Sequence, residues 1–430
     1  MNYELNKVLE LIGSQAEARL VLLRNVEETV SVINQKLDKQ QRGESQSMAV
    51  TLYIDGREGF FYTNVFDDEP LRRFVQRSID MTRLLAPDEA RGLVSPERYY
   101  KGDGAPLLNF DESLEHTPTD VKQELAFANN AEVYGKDDRL ISVESRYVDM
   151  THQAHFLTSN GFSASVSKTR CTLSTIVSVQ GEGDARPMDG WGQSRLFLHD
   201  LPTSGIGDIA LQRSLRKIGQ RPVKAGHYTM VLESPVAPSL LHPLFSAMGG
   251  QALQQHASFL EGKLGEKIGS DLLDVVDNPH LPGTRGASYF DYDGAATQVR
   301  KVFDHGKLCT YFIDTPMSRK LKMPPTTQSI HHIIQTPSQF SLDEVLRQQG
   351  ECILVTDFNG GNCNPVTGHF SYGIEGFLCR DGIYVQPICG MNITGNMLDL
   401  WQNLIQVAND ADPYETELIP SLVFRDVSFS

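Results

Sequence analysis

The chain has 430 residues, 40% of them hydrophobic, and a formal charge of −15. That length exceeds one ordinary core and argues for about two or three domains. The acidity works against non-specific nucleic-acid binding, which depends on neutralising phosphates with Lys and Arg, and no apolar run nears the roughly 20 residues that span a bilayer.

The opening stretch, "MNYELNKVLELIG", mixes acids into a helical apolar pattern and lacks a basic n-region and a small-residue cleavage site. It reads as an amphipathic helix of a cytoplasmic protein. "EARLVLLR" (17–24), "ETVSVINQK" (28–36) and "SMAVTLYID" (47–55) then read as three strands separated by polar turns. Over 69–85, Leu71, Phe74, Val75, Ile79 and Met81 recur at mostly helical spacing. These elements make an α+β first unit.

From Leu93 to Asp120 the chain has little periodicity and carries Pro96, Pro106 and Pro118, which predicts a long connection and a boundary near 116. The stretch from Asp138 to Asp184 predicts a meander with turns at "SNG" and "GEGD". "GIGDIALQRSLRKIG" reads as a helix stopped by Gly219, with Pro222 just beyond. The units expected are therefore 1–115 (α+β), 116–222 (strand-rich) and 223–430.

In the last unit "HYTMVLES" predicts a strand and 238–256 a helix, followed by several strands separated by Gly or Asn turns. A closing helix places Leu398, Trp401, Leu404, Ile405 and Ala408 on one face. The fold class is α+β, with mainly antiparallel strands in the N-terminal region and strands packed with helices in the C-terminal domain.

Among chemical motifs, neither a P-loop nor a G-x-S-x-G elbow is present, and "GIGDIA" is only a fragment of a dinucleotide fingerprint. The six cysteines form no C-x-x-C pair and read as reduced, structural thiols. "DYDG" (291–294) begins like a calcium loop, but Val302 stands where a bidentate glutamate is needed, so a tight turn is expected. On a strand, the spacing of His152 and His155 turns their rings to opposite faces, as does the adjacency of His331 and His332.

His242, in "PSLLHPLFSAMGGQALQQH", lies on a predicted helix, where a zinc site needs a second histidine about one turn away and a glutamate to activate water. His256 follows fourteen residues on, roughly 21 Å along a continuous helix and out of reach of one metal. On residue chemistry alone His242 is expected to pack into the core.

Four segments in order, "LLHPLFSAMGG", "YFDYDGAATQVRKVFDHGKLCTYFIDTPMSRKLK", "NPVTGHFSYGIEGFLCRDG" and "ITGNMLDLWQNLIQVANDAD", resemble the TldD/TldE (PmbA) family, long labelled modulators of DNA gyrase. The resemblance implies paired subunits: a TldD-type metalloprotease with an H-E-x-x-x-H helix and a later cysteine ligand, and a TldE-type partner lacking them. Aligned on "LLH", His242 falls on the first ligand, Pro243 on the catalytic glutamate and Ala247 on the second ligand. The last cysteine, Cys389, precedes the final predicted helix instead of following it.

The chain is thus expected to be a TldE-like subunit with no catalytic residue, metal site or cofactor of its own, the zinc residing in a TldD-like partner. Unfolded or modified peptides are the implied substrates, and a homodimer in the partner's absence stays open. Direct nucleic-acid and membrane binding are not expected. Two rivals remain open: a peptidase with a rearranged metal site, and an acidic protein regulator of gyrase.

Overall fold

Polar residues inside an apolar run decide the first sheet. The computed structural model describes residues 2–327 and 330–430, and in it the two segments expected as separate strands at 17–24 and 28–36 form one strand, β1 (Glu17–Ile33). The residues read as a turn are instead satisfied sideways: Arg24 binds Glu44 and Glu115, Asn25 meets His152, and Glu28 binds Lys122.

Helix α1 (Asn2–Ile12) precedes β1, and β2 (Lys36–Ile54), β3 (Arg57–Thr63) and α2 (Asp68–Arg83) follow it. The long connection then leads to α3 (Thr119–Ala131), a helix absent from the sequence reading. The meander forms as expected, as β4 (Leu140–Thr158), β5 (Ser163–Val179) and β6 (Met188–Arg195), with α4 (Ile206–Arg216) after it.

These six strands form one antiparallel sheet ordered β3-β2-β1-β4-β5-β6, so it draws on both sides of residue 116. Alternate residues of a strand share a face. One face of β1, with Leu20, Leu22, Val30 and Val32, is covered by the four helices through Leu5, Val8, Leu71, Val75, Ala126 and Ile206. The other face turns towards the C-terminal part: Val21, Phe156 and Phe162 pack against Tyr99, Phe290 and Ala295.

The C-terminal part begins with β7 (Gly226–Leu232), α5 (Pro238–Ala247) and α6 (Gly250–Gln254). The single helix expected over 238–256 is therefore broken. Gly249 is extended and Gly250 lies flush against Met317, where a Cβ would approach within 2.7 Å. The chain continues through β8 (Val275–Asp277), β9 (Arg300–Asp304), β10 (Lys307–Leu308), α7 (Thr315–Leu321), β11 (Ile333–Gln335) and α8 (Leu342–Gln348). The last elements are β12 (Glu351–Cys363), β13 (His369–Arg380), β14 (Ile383–Asn396), α9 (Met397–Gln402), β15 (Leu404–Val407), β16 (Glu417–Leu418) and β17 (Leu422–Phe429).

The closing helix is shorter than expected. Residues Leu404–Val407 leave α9 and pair with β17, which leaves Ile405 partly exposed rather than on a buried helical face. The larger sheet runs β14-β13-β12-β7-β17-β15, and β14 also pairs with β17, so it curls back on itself. Leu240, Leu241, Leu244 and Phe245 of α5 and Trp401 of α9 share the core of this part. The smaller sheet runs β10-β9-β8-β11-β16. The whole is an α+β fold of mainly antiparallel strands. Among the described residues, no helix is long and apolar enough to cross a membrane.

Candidate functional site

A cavity of about 1230 Å³ lies between the first sheet and the C-terminal part. Its floor is the open face of β5, at Ser174 and Ile176, with Gly190, Trp191, Gly192 and Gln193 of β6 beside it. β6 is an edge strand. Ser214 and Lys217 bond to its first residues, Asp189 and Met188, and from Trp191 onwards the edge runs along the cavity. Gly190 and Gly192 put no side chain between backbone and cavity. The opposite wall comes from the start of α5 and from the segment Asp410–Glu417.

His242 stands in that wall, which corrects the expectation that it packs into the core. Its side chain is 55% exposed, and Nε2 lies 2.9 Å from Oε2 of Glu417, itself 18% exposed. The hydrogen bond to Glu417 raises the pKa of His242, with burial opposing. Parallel pairing of β16 with β11 places Glu417 opposite Ile333 and so holds the carboxylate there.

His242→Ala is therefore expected to cost less than about 1 kcal/mol, the range of an exposed pair, rather than the roughly 1 to 3 kcal/mol of a packed side chain. A raised folded-state pKa stabilises fully below the unfolded value of 6.5, and that contribution fades as pH rises through the folded value. Denaturant unfolding of both proteins at about pH 6 and about pH 9 should show the larger difference at the lower pH. A loss above about 2 kcal/mol at both would return His242 to a packing role.

At the positions where the family resemblance implies two metal ligands and the catalytic glutamate, the side chains present do not fit a zinc site. A catalytic site needs three protein ligands, whereas the chain offers one imidazole bonded to a carboxylate, the ring of Pro243, and Ala247, which is 1% exposed within the core. Among the described residues, no group of three or more His, Cys, Asp or Glu is placed to share a metal ion.

The remaining charges of the cavity wall are largely paired. Arg213 makes a bidentate contact with Glu233, at 3.0 and 3.1 Å. Arg285 binds Glu415 at 2.8 Å. Arg195 lies 3.8 Å over the ring of Tyr414, and its Nη1 is 3.8 Å from Asp412. Asp410 accepts from the Ser421 backbone and hydroxyl. At the far end His331 lines the cavity, 3.7 Å from the fully buried Asp277, whose carboxylate also binds Arg300. Burial pushes the Asp277 carboxyl up, but hydrogen bonding from His331 and the charge of Arg300 hold it below its ordinary value.

His152 and His155, both on β4, separate as strand geometry predicts, whereas His331 and His332 lie just before β11 rather than on a strand. His152 meets Asn25 and His155 meets Ser165. His332 is fully buried, neither ring nitrogen finds a hydrogen-bond partner among the described residues, and burial lowers its pKa. "DYDG" is a turn closed by backbone N–H bonds of Asp293 and Ala295 to Asp291, and Asp293 pairs with Arg19. The edge strand with its glycines, Arg195 with Tyr414, and Glu417 were not found in the sequence. The only local signals are the alternation in "GWGQSR" and the acidic run "DADPYETE".

Comparison with known proteins covers nearly the whole chain. Residues 18–82, 112–218 and 225–430 match the family domains described as PmbA/TldA metallopeptidase domain 1, central domain and C-terminal domain. Metalloprotease PmbA of Escherichia coli O157:H7 is 24% identical over 409 residues, covering 94% of this chain and 90% of that protein. The crystal structure of a Bacteroides thetaiotaomicron protein described as a modulator of DNA gyrase superposes with a TM-score of 0.96 at 42% identity, covering 100% of this chain and 97% of that one. TldE from Thermococcus kodakarensis, at 19% identity, shares the fold with a TM-score of 0.89 over 99% of this chain and 100% of its own.

Proposed function

Because the chain belongs to the PmbA/TldD metallopeptidase family, we propose that it is a TldE-type, non-catalytic subunit whose cavity holds extended peptides for a TldD-like metalloprotease partner. The observation that carries this reading is the cavity itself. The edge of β6, bare of side chains at Gly190 and Gly192, faces a wall that includes His242, the first of the metal-helix positions.

An edge strand offers unpaired N–H and C=O groups, and an extended peptide can add to it as a further strand. Such binding reads backbone rather than side chains. The pairing of Arg213, Arg285 and His242 with acids of the same chain fits this mode, since their charges are largely spent. Varied unfolded or modified peptides suit a site of this kind. His242 alone, held by Glu417 and with Pro243 where a base would stand, positions no water for attack. Zinc and hydrolysis are assigned to the partner, in a heteromer working in the cytoplasm.

The test is a peptide-degradation assay on this chain alone, on a TldD-like subunit alone and on the mixture, each with and without chelator. Turnover is expected in the mixture, abolished by chelator, and absent from this chain. Chelator-sensitive turnover by this chain alone, after contaminating proteases are excluded, would overturn the non-catalytic assignment and favour a rearranged metal site. Elemental analysis after dialysis is expected to find no stoichiometric zinc in it.

A further inference from the structure

The floor of the cavity continues along β5 to two cations that no acid binds among the described residues. Alternate residues of β5 share its open face, so Lys168, Arg170 and Thr172 lie in line with Ser174 and Ile176 of the cavity floor. Arg170 is four residues from Ser174, about 13 Å along the strand. Before Lys168 the same face meets the apolar contact with the C-terminal part, at Phe162, Ala164 and Val166. The two cations thus sit where the interdomain contact ends and the cavity begins.

Both are partly buried. The Lys168 ammonium donates to the backbone carbonyl of Arg285, at 3.3 Å, and to no carboxylate among the described residues. The Arg170 guanidinium has neither a hydrogen bond nor an ion pair among the described residues. Burial lowers its pKa first and the neighbouring Arg285 second, and both outweigh attraction by Glu415 and Glu27. Across the strand pair, Lys168 faces His152 and Arg170 faces Met150, neither of which supplies an acid. Arg285, the third cation here, lines the cavity and is held by Glu415.

A partly desolvated cation without a counter-charge is unfavourable, and an incoming anion relieves that cost. A guanidinium also presents a planar fork that matches a carboxylate bidentately. We propose that Lys168 and Arg170, beside Arg285, form a carboxylate subsite that binds an acidic group of a peptide lying along β5 and β6. The group is either the peptide's C-terminal carboxylate or an acidic side chain. This rests on the peptide-holding reading above and adds a preference that backbone pairing alone lacks. The cluster is cationic in a chain of net charge −15, so general electrostatic attraction of anions does not account for such binding.

The test is fluorescence anisotropy with the full chain and three labelled extended peptides of one neutral sequence: amidated, with a free C-terminus, and amidated with one internal glutamate. At least one carboxylate peptide is expected to bind about tenfold more tightly than the neutral amide, the worth of one charge-assisted hydrogen-bonded contact. Which of the two does so identifies the source of the carboxylate. Arg170→Gln, alone and with Lys168→Gln, should bring the preference within about twofold and leave the neutral peptide unchanged, while Arg170→Lys keeps part of it.

If the three peptides bind the unaltered chain alike, the subsite is overturned and the peptide-holding reading stands. If none binds, both fall. Tighter binding of a single-stranded oligonucleotide that displaces the acidic peptide overturns the subsite in favour of a nucleic-acid face. Should a variant not fold, the three-peptide comparison on the unaltered chain, with its loss of preference in high salt, still decides the matter.

Discussion

Replacing Lys122 with methionine is expected to cost about 3 to 5 kcal/mol of stability, the usual result of removing one partner from a buried ion pair. Lys122 on α3 is fully buried, with its ammonium 2.8 Å from Glu28 and 2.6 Å from Asp149. Those carboxylates face each other directly across β1 and β4. Thr119 donates to Glu28 and Tyr147 to Asp149. Methionine keeps most of the side-chain volume, so the loss reports charge rather than a cavity.

Burial acts to raise the Glu28 carboxyl, yet hydrogen bonds from Lys122 and Thr119 hold it below its ordinary value of 4.5, whereas burial wins at Asp149 and raises it. Without the ammonium both folded-state values rise above the unfolded ones. A raised carboxyl destabilises once pH exceeds the unfolded value, so the deficit should be largest near neutrality and shrink as pH falls towards about 4. Denaturant titrations at several pH values measure it. Glu28→Gln and Asp149→Asn added to Lys122→Met should recover most of the loss. A deficit under about 1 kcal/mol at neutral pH would mean that the triad is solvated rather than buried.

This triad also explains why β1 was cut in two in the sequence reading. A half-buried strand should alternate, and the run Arg24-Asn25-Val26-Glu27-Glu28 interrupts that pattern as a turn would. Its polar groups are instead satisfied by partners such as Glu115 and Lys122, 91 and 94 residues away, which no local window contains. Elements whose stabilisation is local were legible: α1, α2, α4 and the meander follow from periodicity and turn residues. The end of α9 failed for the opposite reason. Leu404, Ile405 and Ala408 fit a helical face by spacing, but Leu404–Val407 pairs with β17, and the β-branched Ile405 and Val407 suit that state.

His242 was singled out by its helix and misplaced by composition statistics, although its orientation could be read from the sequence. With about 100° per residue, Leu240, Leu241, Leu244 and Phe245 centre on one side of α5, and Ser239, His242 and Ser246 fall on the other. That polar face is exposed, and the first two of its residues line the cavity. What local spacing could not supply is Glu417, 175 residues on. The same holds for the cavity, whose floor and wall come from segments joined only by the folded topology.

Rebuilding the metal helix is expected to fail. In Pro243→Glu with Ala247→His, both missing side chains of the H-E-x-x-x-H pattern return, but residues 242 and 247 lie about 140° apart on a regular helix. His242 faces the cavity, whereas Ala247 is buried in the core and its carbonyl accepts a bond from Ser258. An imidazole at 247 must either overfill that core or place polar nitrogens among apolar groups, at a cost of about 2 to 5 kcal/mol. Even if the helix distorted to bring both rings together, a third protein ligand would still be required.

Pro243→Glu alone is the control. Replacing a proline inside a helix returns a backbone N–H to the turn, so this variant should be no less stable than the parent. Unfolding midpoints, zinc per chain after dialysis and peptide degradation with and without chelator separate the outcomes. The double variant is expected to be destabilised, to hold no stoichiometric zinc and to cleave nothing. A folded double variant with one zinc per chain and chelator-sensitive cleavage would show that α5 needs only its two side chains to become catalytic, and that the cavity is a dormant active site rather than a peptide holder.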